Sequence, residues 1–247
     1  MIKPTAAETQ AINPRDRIIV ALDVDSASSA REICRELSGA VGAFKIGLQL
    51  FTATGPAFVR ELTESGTKIF LDLKFHDIPN TVAKAAVEAA RLGLWMFNVH
   101  AFGGSEMMLQ TIKEVDAVCE TEEIARPLII AVTVLTSSTA KTMSEIGVEQ
   151  GINDQVELLA KLAANCGLDG IVASPQEAQT VRYAVDKLNF LIVTPGIRQT
   201  LATMDDQRRV TTIGQALAIG SDYVVIGRPI VNAKDRRQAV EQIVADV

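Results

Sequence analysis

Three charged residues, Asp72, Lys74 and Asp77, fall within six positions of the run Lys68-Ile69-Phe70-Leu71-Asp72-Leu73-Lys74-Phe75-His76-Asp77-Ile78-Pro79-Asn80-Thr81. The apolar, β-rich start of the run marks a buried strand. Strand side chains alternate faces, so Asp72 and Lys74 are expected to point one way and Leu71 and Leu73 the other. Opposite charges on the inner face of a core strand are costly to desolvate, which favours a chemical role over a purely stabilising one. Lys45, in Phe44-Lys45-Ile46-Gly47, lies on the preceding strand and can reach Asp72. Alternating ammonium and carboxylate groups let each ammonium stay protonated. Such an array suits a site that needs a fixed field and one acidic proton to donate. The competing account is a structural ion-pair cluster, with Asp77 assisting the helix that begins at Pro79.

Other polar residues offer binding chemistry. Asp23 closes the first strand, either capping the helix near Ser26 or accepting from a sugar hydroxyl. Asn98 and His100 share a strand face, and His76 precedes a turn; both histidines read as structural, with a hydrogen-bonded ring the usual case for a lone histidine. Thr136 is either a loop-start hydroxyl or a ligand contact. Thr194-Pro195-Gly196-Ile197-Arg198 opens a polar loop that contains Asp205-Asp206-Gln207-Arg208-Arg209, and the final strand ends Val225-Ile226-Gly227-Arg228-Pro229. Glycine backbone amides and an arginine fork bind phosphate well, which suits Gly227 and Arg228; the alternative is an arginine on a solvent-facing turn. A loop of about fifteen residues in a compact domain is more often a lid than filler.

These residues need a scaffold that gathers strand ends. After a polar N-terminal arm (1–16), apolar runs expected as strands at 17–24, 44–48, 68–75, 96–101, 128–136, 170–174, 190–196 and 223–227 alternate with helical spacing at 26–37, 55–64, 79–92, 105–123, 154–165, 176–188, 213–219 and 232–246. About eight strand–helix units of this size predict one (β/α)8 TIM barrel over 17–247. An open doubly wound sheet shares the alternation but has fewer units. Asp23, Lys45, Asp72, Lys74, Asn98, His100, Thr136 and Arg228 all fall towards or just past the C-terminal ends of their strands, the face on which barrel enzymes build their sites.

Composition narrows the function classes. The 247 residues are 48% hydrophobic, enough for a large core. A net charge of -6 argues against a general nucleic-acid binder. Cys34, Cys119 and Cys166 are far apart and odd in number, and no Cys/His spacing suggests zinc. A reducing cytoplasm is the simplest setting. Neither a signal peptide nor a membrane-spanning run is expected.

The ten-residue stretch Asp-Leu-Lys-Phe-His-Asp-Ile-Pro-Asn-Thr over 72–81 resembles the signature of the orotidine 5'-phosphate decarboxylase family, bacterial type. Ala21-Leu22-Asp23, Phe44-Lys45-Ile46-Gly47, Asn98-Val99-His100-Ala101, Val132-Thr133-Val134-Leu135-Thr136-Ser137, Thr194-Pro195-Gly196-Ile197-Arg198, Asp206-Gln207 and Ile226-Gly227-Arg228-Pro229 extend the likeness over nearly the whole chain, leaving only the N-terminal arm outside it. The resemblance implies a dimeric barrel without cofactor or metal that converts orotidine 5'-monophosphate to UMP and carbon dioxide. It implies that Lys74 donates the proton to the pyrimidine carbon, that Asp72 lies beside the leaving carboxylate, and that Lys45 and Asp77 complete the array. Asp77 would come from the other subunit, accompanied by Ile78 and Thr81. Asp23 and Lys45 would contact the ribose, Thr136 the base, and Gln207, Gly227 and Arg228 the phosphate, with Arg198 beside them. The shorter Asp-x-Lys-x-x-Asp core is shared with metal-dependent phosphosugar decarboxylases and aldolases, which remain the nearest alternative. A catalytically silent nucleotide-binding barrel is a second.

Overall fold

A computed structural model describes residues 13–187, 189–196 and 212–245. Eight strands alternate with helices: β1 (Ile18–Ala21), α1 (Ala27–Glu36), β2 (Ala43–Gly47), α2 (Leu48–Glu64), β3 (Ile69–Phe75), α3 (Pro79–Ala90), β4 (Met96–His100), α4 (Gly104–Thr121), β5 (Leu128–Val132), α5 (Ala140–Glu145), α6 (Ile152–Asn165), β6 (Gly170–Val172), α7 (Pro175–Ala184), β7 (Leu191–Pro195), α8 (Ile213–Ala218), β8 (Tyr223–Ile226), α9 (Arg228–Val231) and α10 (Arg236–Ala245). The strands pair in chain order, all parallel, and β8 returns to β1 to close the barrel. Most of the N-terminal arm lies outside the described residues, which open on a short 3-10 turn over Pro14–Arg17 capped by the Asn13 side chain.

The strands carry two apolar faces, as burial on both sides of a parallel sheet requires. Ile18, Val20, Phe44, Ile46, Ile69, Leu71, Phe97 and Val99 pack outward in the layer beneath the helices. Ile19, Ala21, Ala43, Phe70, Met96, Ile130, Val193 and Val225 fill the barrel interior. Two residues further along the inward face, Ala43 gives way to Lys45, Phe70 to Asp72 and Met96 to Asn98. The interior is therefore apolar below and polar at its C-terminal end.

Local signals set the helix starts. Ser26 caps α1 by accepting from the Ser29 amide at 3.2 Å. Thr212 and Gln215 cap α8 reciprocally, each side chain accepting from the other's backbone N–H at 3.2 and 3.0 Å. The helix expected over 55–64 begins earlier, at Leu48, and is interrupted at Gly55, whose φ of 71° and ψ of -178° suit glycine almost alone. The long strand expected over 128–136 stops at Val132, and the last helix starts at Arg236 rather than 232. Two helices are additional to the expected set. Both are short, α5 at six residues and α9 at four. Among the described residues, no helix is long and apolar enough to cross a membrane.

One strand is irregular. Register pairs Leu71 with Phe97 and next Phe75 with Val99, so residues 72–74 of β3 lie opposite Asn98 alone. Lys74 takes up the excess with a left-handed φ of 53°.

Candidate active site

The bulge in β3 aims two charges into one cavity, as such irregularities often do beside functional sites. Lys74 Nζ lies 2.7 Å from Asp72 Oδ1. On the other carboxylate oxygen, Oδ2, Lys45 Nζ approaches to 3.3 Å from β2. Lys45 is also 3.6 Å from Asp23 Oδ1, beyond the end of β1. The four side chains form one row of alternating sign: Asp23, Lys45, Asp72, Lys74. Burial is deepest in its middle, where the Lys45 and Asp72 side chains keep 12% and 14% of their exposure, against 31% for Lys74 and 62% for Asp23. The paired charges compensate one another where water is scarce, and the ammonium of Lys74 is left nearest the opening.

The expectation that alternation alone sets Asp72 and Lys74 side by side needs amendment. They do meet, but across an irregular backbone in which the amide of Lys74 has lost a strand partner. Asn98 Oδ1 accepts from that amide at 2.8 Å, and Asn98 Nδ2 donates to Asp72 Oδ1 at 2.7 Å. Asn98 is fully buried. Its place on a strand face shared with His100 was legible in the sequence; its link to both Asp72 and Lys74 was not, because it depends on the bulge.

The cavity over the barrel mouth has a volume of about 800 Å³. Asp23, Lys45, Asp72 and Lys74 line one side, Thr136 another, and Gly227 and Arg228 a third, with Pro195 and Gly196 at the end of β7. Asp23 does not cap α1, since Ser26 does so, and reaches Lys45 on the cavity wall instead. Thr136 and Arg228 are exposed at the rim. A methyl group at position 227 would stand 3.5 Å from Asp23 Oδ2, within the cavity, so glycine keeps that approach open. Arg198 and Gln207, and most of the expected lid, lie outside the described residues.

Asp77, Ile78 and Thr81 are not part of this cavity's lining. Asp77 is exposed and its Oδ1 accepts from the adjacent Ile78 amide at 2.6 Å. Among the described residues it pairs with neither lysine of the row. It holds the turn into α3, where Pro79 occupies the first helical position. Ile78 keeps 66% of its exposure.

The two histidines differ from the hydrogen-bonded pattern expected of them. His76 and His100 stack with ring centroids 5.5 Å apart, and His100 Nδ1 is buried without a hydrogen-bond partner among the described residues. Burial first, and then the charges of His76 and Lys74, push the His100 pKa down to about 4. Its ring is therefore neutral near pH 7 and packs against His76 and Phe102. Among the described residues no three His, Cys, Asp or Glu side chains converge as a metal site.

Comparison with known proteins places the whole chain. The chain is 49% identical to orotidine 5'-phosphate decarboxylase of Syntrophotalea carbinolica over 236 residues, covering 96% of each chain. It is 49% identical to the enzyme of that name from Geobacter metallireducens over 233 residues, covering 94% of this chain and 96% of the other. The crystal structure of orotidine 5'-phosphate decarboxylase from Lactobacillus acidophilus superposes with a TM-score of 0.81 at 37% identity, covering 93% of this chain and 97% of that one. The family model described as "Orotidine 5'-phosphate decarboxylase / HUMPS family" matches residues 16–243. A match that runs from the turn before β1 almost to the end of α10 takes in every strand that feeds the cavity, and the chain belongs to this family.

Proposed function

We propose that the chain catalyses decarboxylation of orotidine 5'-monophosphate to UMP and carbon dioxide in pyrimidine nucleotide synthesis. The observation that carries this is the Lys74 ammonium held 2.7 Å from Asp72 at the mouth of a nucleotide-sized cavity. In the reaction the bond from the ring carbon to the carboxylate breaks, carbon dioxide leaves, and the electron pair stays on the ring. Lys74 stabilises that charge and delivers a proton to the same carbon; the neutral amine then regains a proton from water. A fixed positive charge, already oriented before reaction, is the form of help such a carbanion needs.

The other roles follow from position. Asp72 lies beside the leaving carboxylate while fixing Lys74. Asp23 and Lys45 face the ribose, and Thr136 the base. Gly227 and Arg228 take the phosphate, joined by Gln207 and Arg198. Binding energy gathered at the phosphate, far from the reacting carbon, can be spent on the chemical step. Asp77, Ile78 and Thr81 complete the site of a second copy, making the active form a homodimer. The exposure of Ile78, and an Asp77 that does not reach its own chain's cavity, support that arrangement. A reducing cytoplasm suits the three buried, unpaired thiols.

The test is the fall in ultraviolet absorbance of orotidine 5'-monophosphate on adding purified protein, with and without EDTA. Turnover that survives EDTA is expected. Loss of turnover with the chelator would contradict a metal-free reaction, and no turnover in either condition would overturn the assignment in favour of a metal-dependent phosphosugar enzyme or a silent nucleotide-binding barrel.

A further inference from the structure

We infer that Asn98 is a positioning residue for the reaction, one carboxamide holding both the backbone that carries Lys74 and the carboxylate that orients it. The inference rests on Lys74 and Asp72 being the reacting pair.

Three observations converge on it. Residues 72–74 of β3 face Asn98 alone, so the strand ladder offers the Lys74 amide no ordinary partner. Lys74 sits at a φ of 53°, a region that non-glycine residues occupy only where surroundings enforce it. Asn98 supplies the missing acceptor at 2.8 Å and spends its amino group on Asp72 Oδ1 at 2.7 Å. The two partners fix the orientation of the carboxamide. Turned over, it would set its amino group against an N–H and its oxygen against a carboxylate. Full burial of Asn98 keeps water from replacing either contact. Asp72 Oδ1 thus accepts from Asn98 and Lys74 together, which locks the carboxylate while its Oδ2 faces Lys45.

Removing the carboxamide frees the bulge to relax. A change of φ at residue 74 redirects its Cβ, and the long side chain magnifies the movement at Nζ. A misplacement of about 1 Å in a reacting group costs about 10²-fold in rate. Asn98 is not among the residues lining the cavity, so it makes no direct contact with ribose or phosphate, and ground-state binding is largely spared.

The experiment compares Asn98→Ala, Asn98→Asp and Lys74→Ala by steady-state kcat and KM for orotidine 5'-monophosphate, by inhibition with UMP, and by circular dichroism for folding. Asn98→Asp has nearly the volume of the parent and keeps the acceptor for Lys74, but sets a carboxylate against Asp72; it decides the matter if Asn98→Ala does not fold. Folded Asn98 variants should lose about 10²-fold in kcat, with UMP inhibition within about threefold of the parent. A folded Asn98 variant with parental kcat, beside an inactive Lys74→Ala, would reduce Asn98 to a structural residue and overturn the inference. Parental kcat in Lys74→Ala would instead overturn the assignment of the reacting pair.

Discussion

Asp72 accepts from an ammonium and a carboxamide on one oxygen and faces a second ammonium on the other. A carboxylate so engaged has one orientation, as the place proposed for it beside the leaving carboxylate requires. The row of Asp23, Lys45, Asp72 and Lys74 was legible in the sequence because each is a charge in or at the end of an apolar run, where a bland explanation is costly. Asn98 and His100 were visible only as polar residues on a shared face. Their partners come from the bulge and from ring stacking, neither of which leaves a periodic trace. For His100 the consequence can be measured. Its pKa falls from 6.5 to about 4 in the folded chain. Between those values the unfolded chain binds a proton that the native chain refuses, so this residue's contribution to stability is present above pH 6.5 and lost as pH falls towards 4. Thermal unfolding of His100→Phe should therefore decline less than the parent's between pH 7 and pH 4. Identical pH dependence in the two would contradict the buried neutral ring.

The rhythm of strand and helix was readable because each barrel strand is an apolar run ended by polar or glycine residues. The ends were not readable to the residue. Val132 closes β5 although the apolar run continues through Leu135, because Thr133 turns its hydroxyl to the Val172 carbonyl at 2.9 Å as the chain leaves the barrel. Similarly, α2 looked like one helix after Gly55, whereas the chain is helical on both sides of that glycine. A methyl group there meets no neighbour within 4 Å, so the objection to a side chain is backbone conformation alone. Gly55→Ala should lower unfolding free energy by about 1–3 kcal/mol while kcat holds, since Gly55 does not line the cavity. Urea unfolding midpoints check this. An unchanged midpoint would mean that the interruption is not enforced by φ.

The two ends of the barrel divide the charged residues by task. At the N-terminal end Asp222 and Asp169 are held in arginine pairs. Asp222 meets Arg182 and accepts from the Ile192 amide at 2.7 Å, while Asp169 pairs with Arg126 and accepts from the Ile129 amide, each at 2.7 Å. At the C-terminal end Lys45, Lys74 and Arg228 line an open cavity. That polarity was legible from strand ends; whether Asp77 serves a second copy is a question one chain answers only through an exposed Ile78. If sites are shared, Lys74→Ala and Asp77→Ala chains, each inactive alone, should recover roughly a quarter of parental sites when mixed and allowed to exchange, since half the dimers are hybrids with one intact site. No recovery after proven exchange would contradict sharing. The central claim, that one held ammonium stabilises and protonates the carbanion, meets its most direct test in the kcat of Lys74→Ala on orotidine 5'-monophosphate. A folded variant without measurable turnover that still binds UMP is the expected result, and near-parental kcat would contradict it.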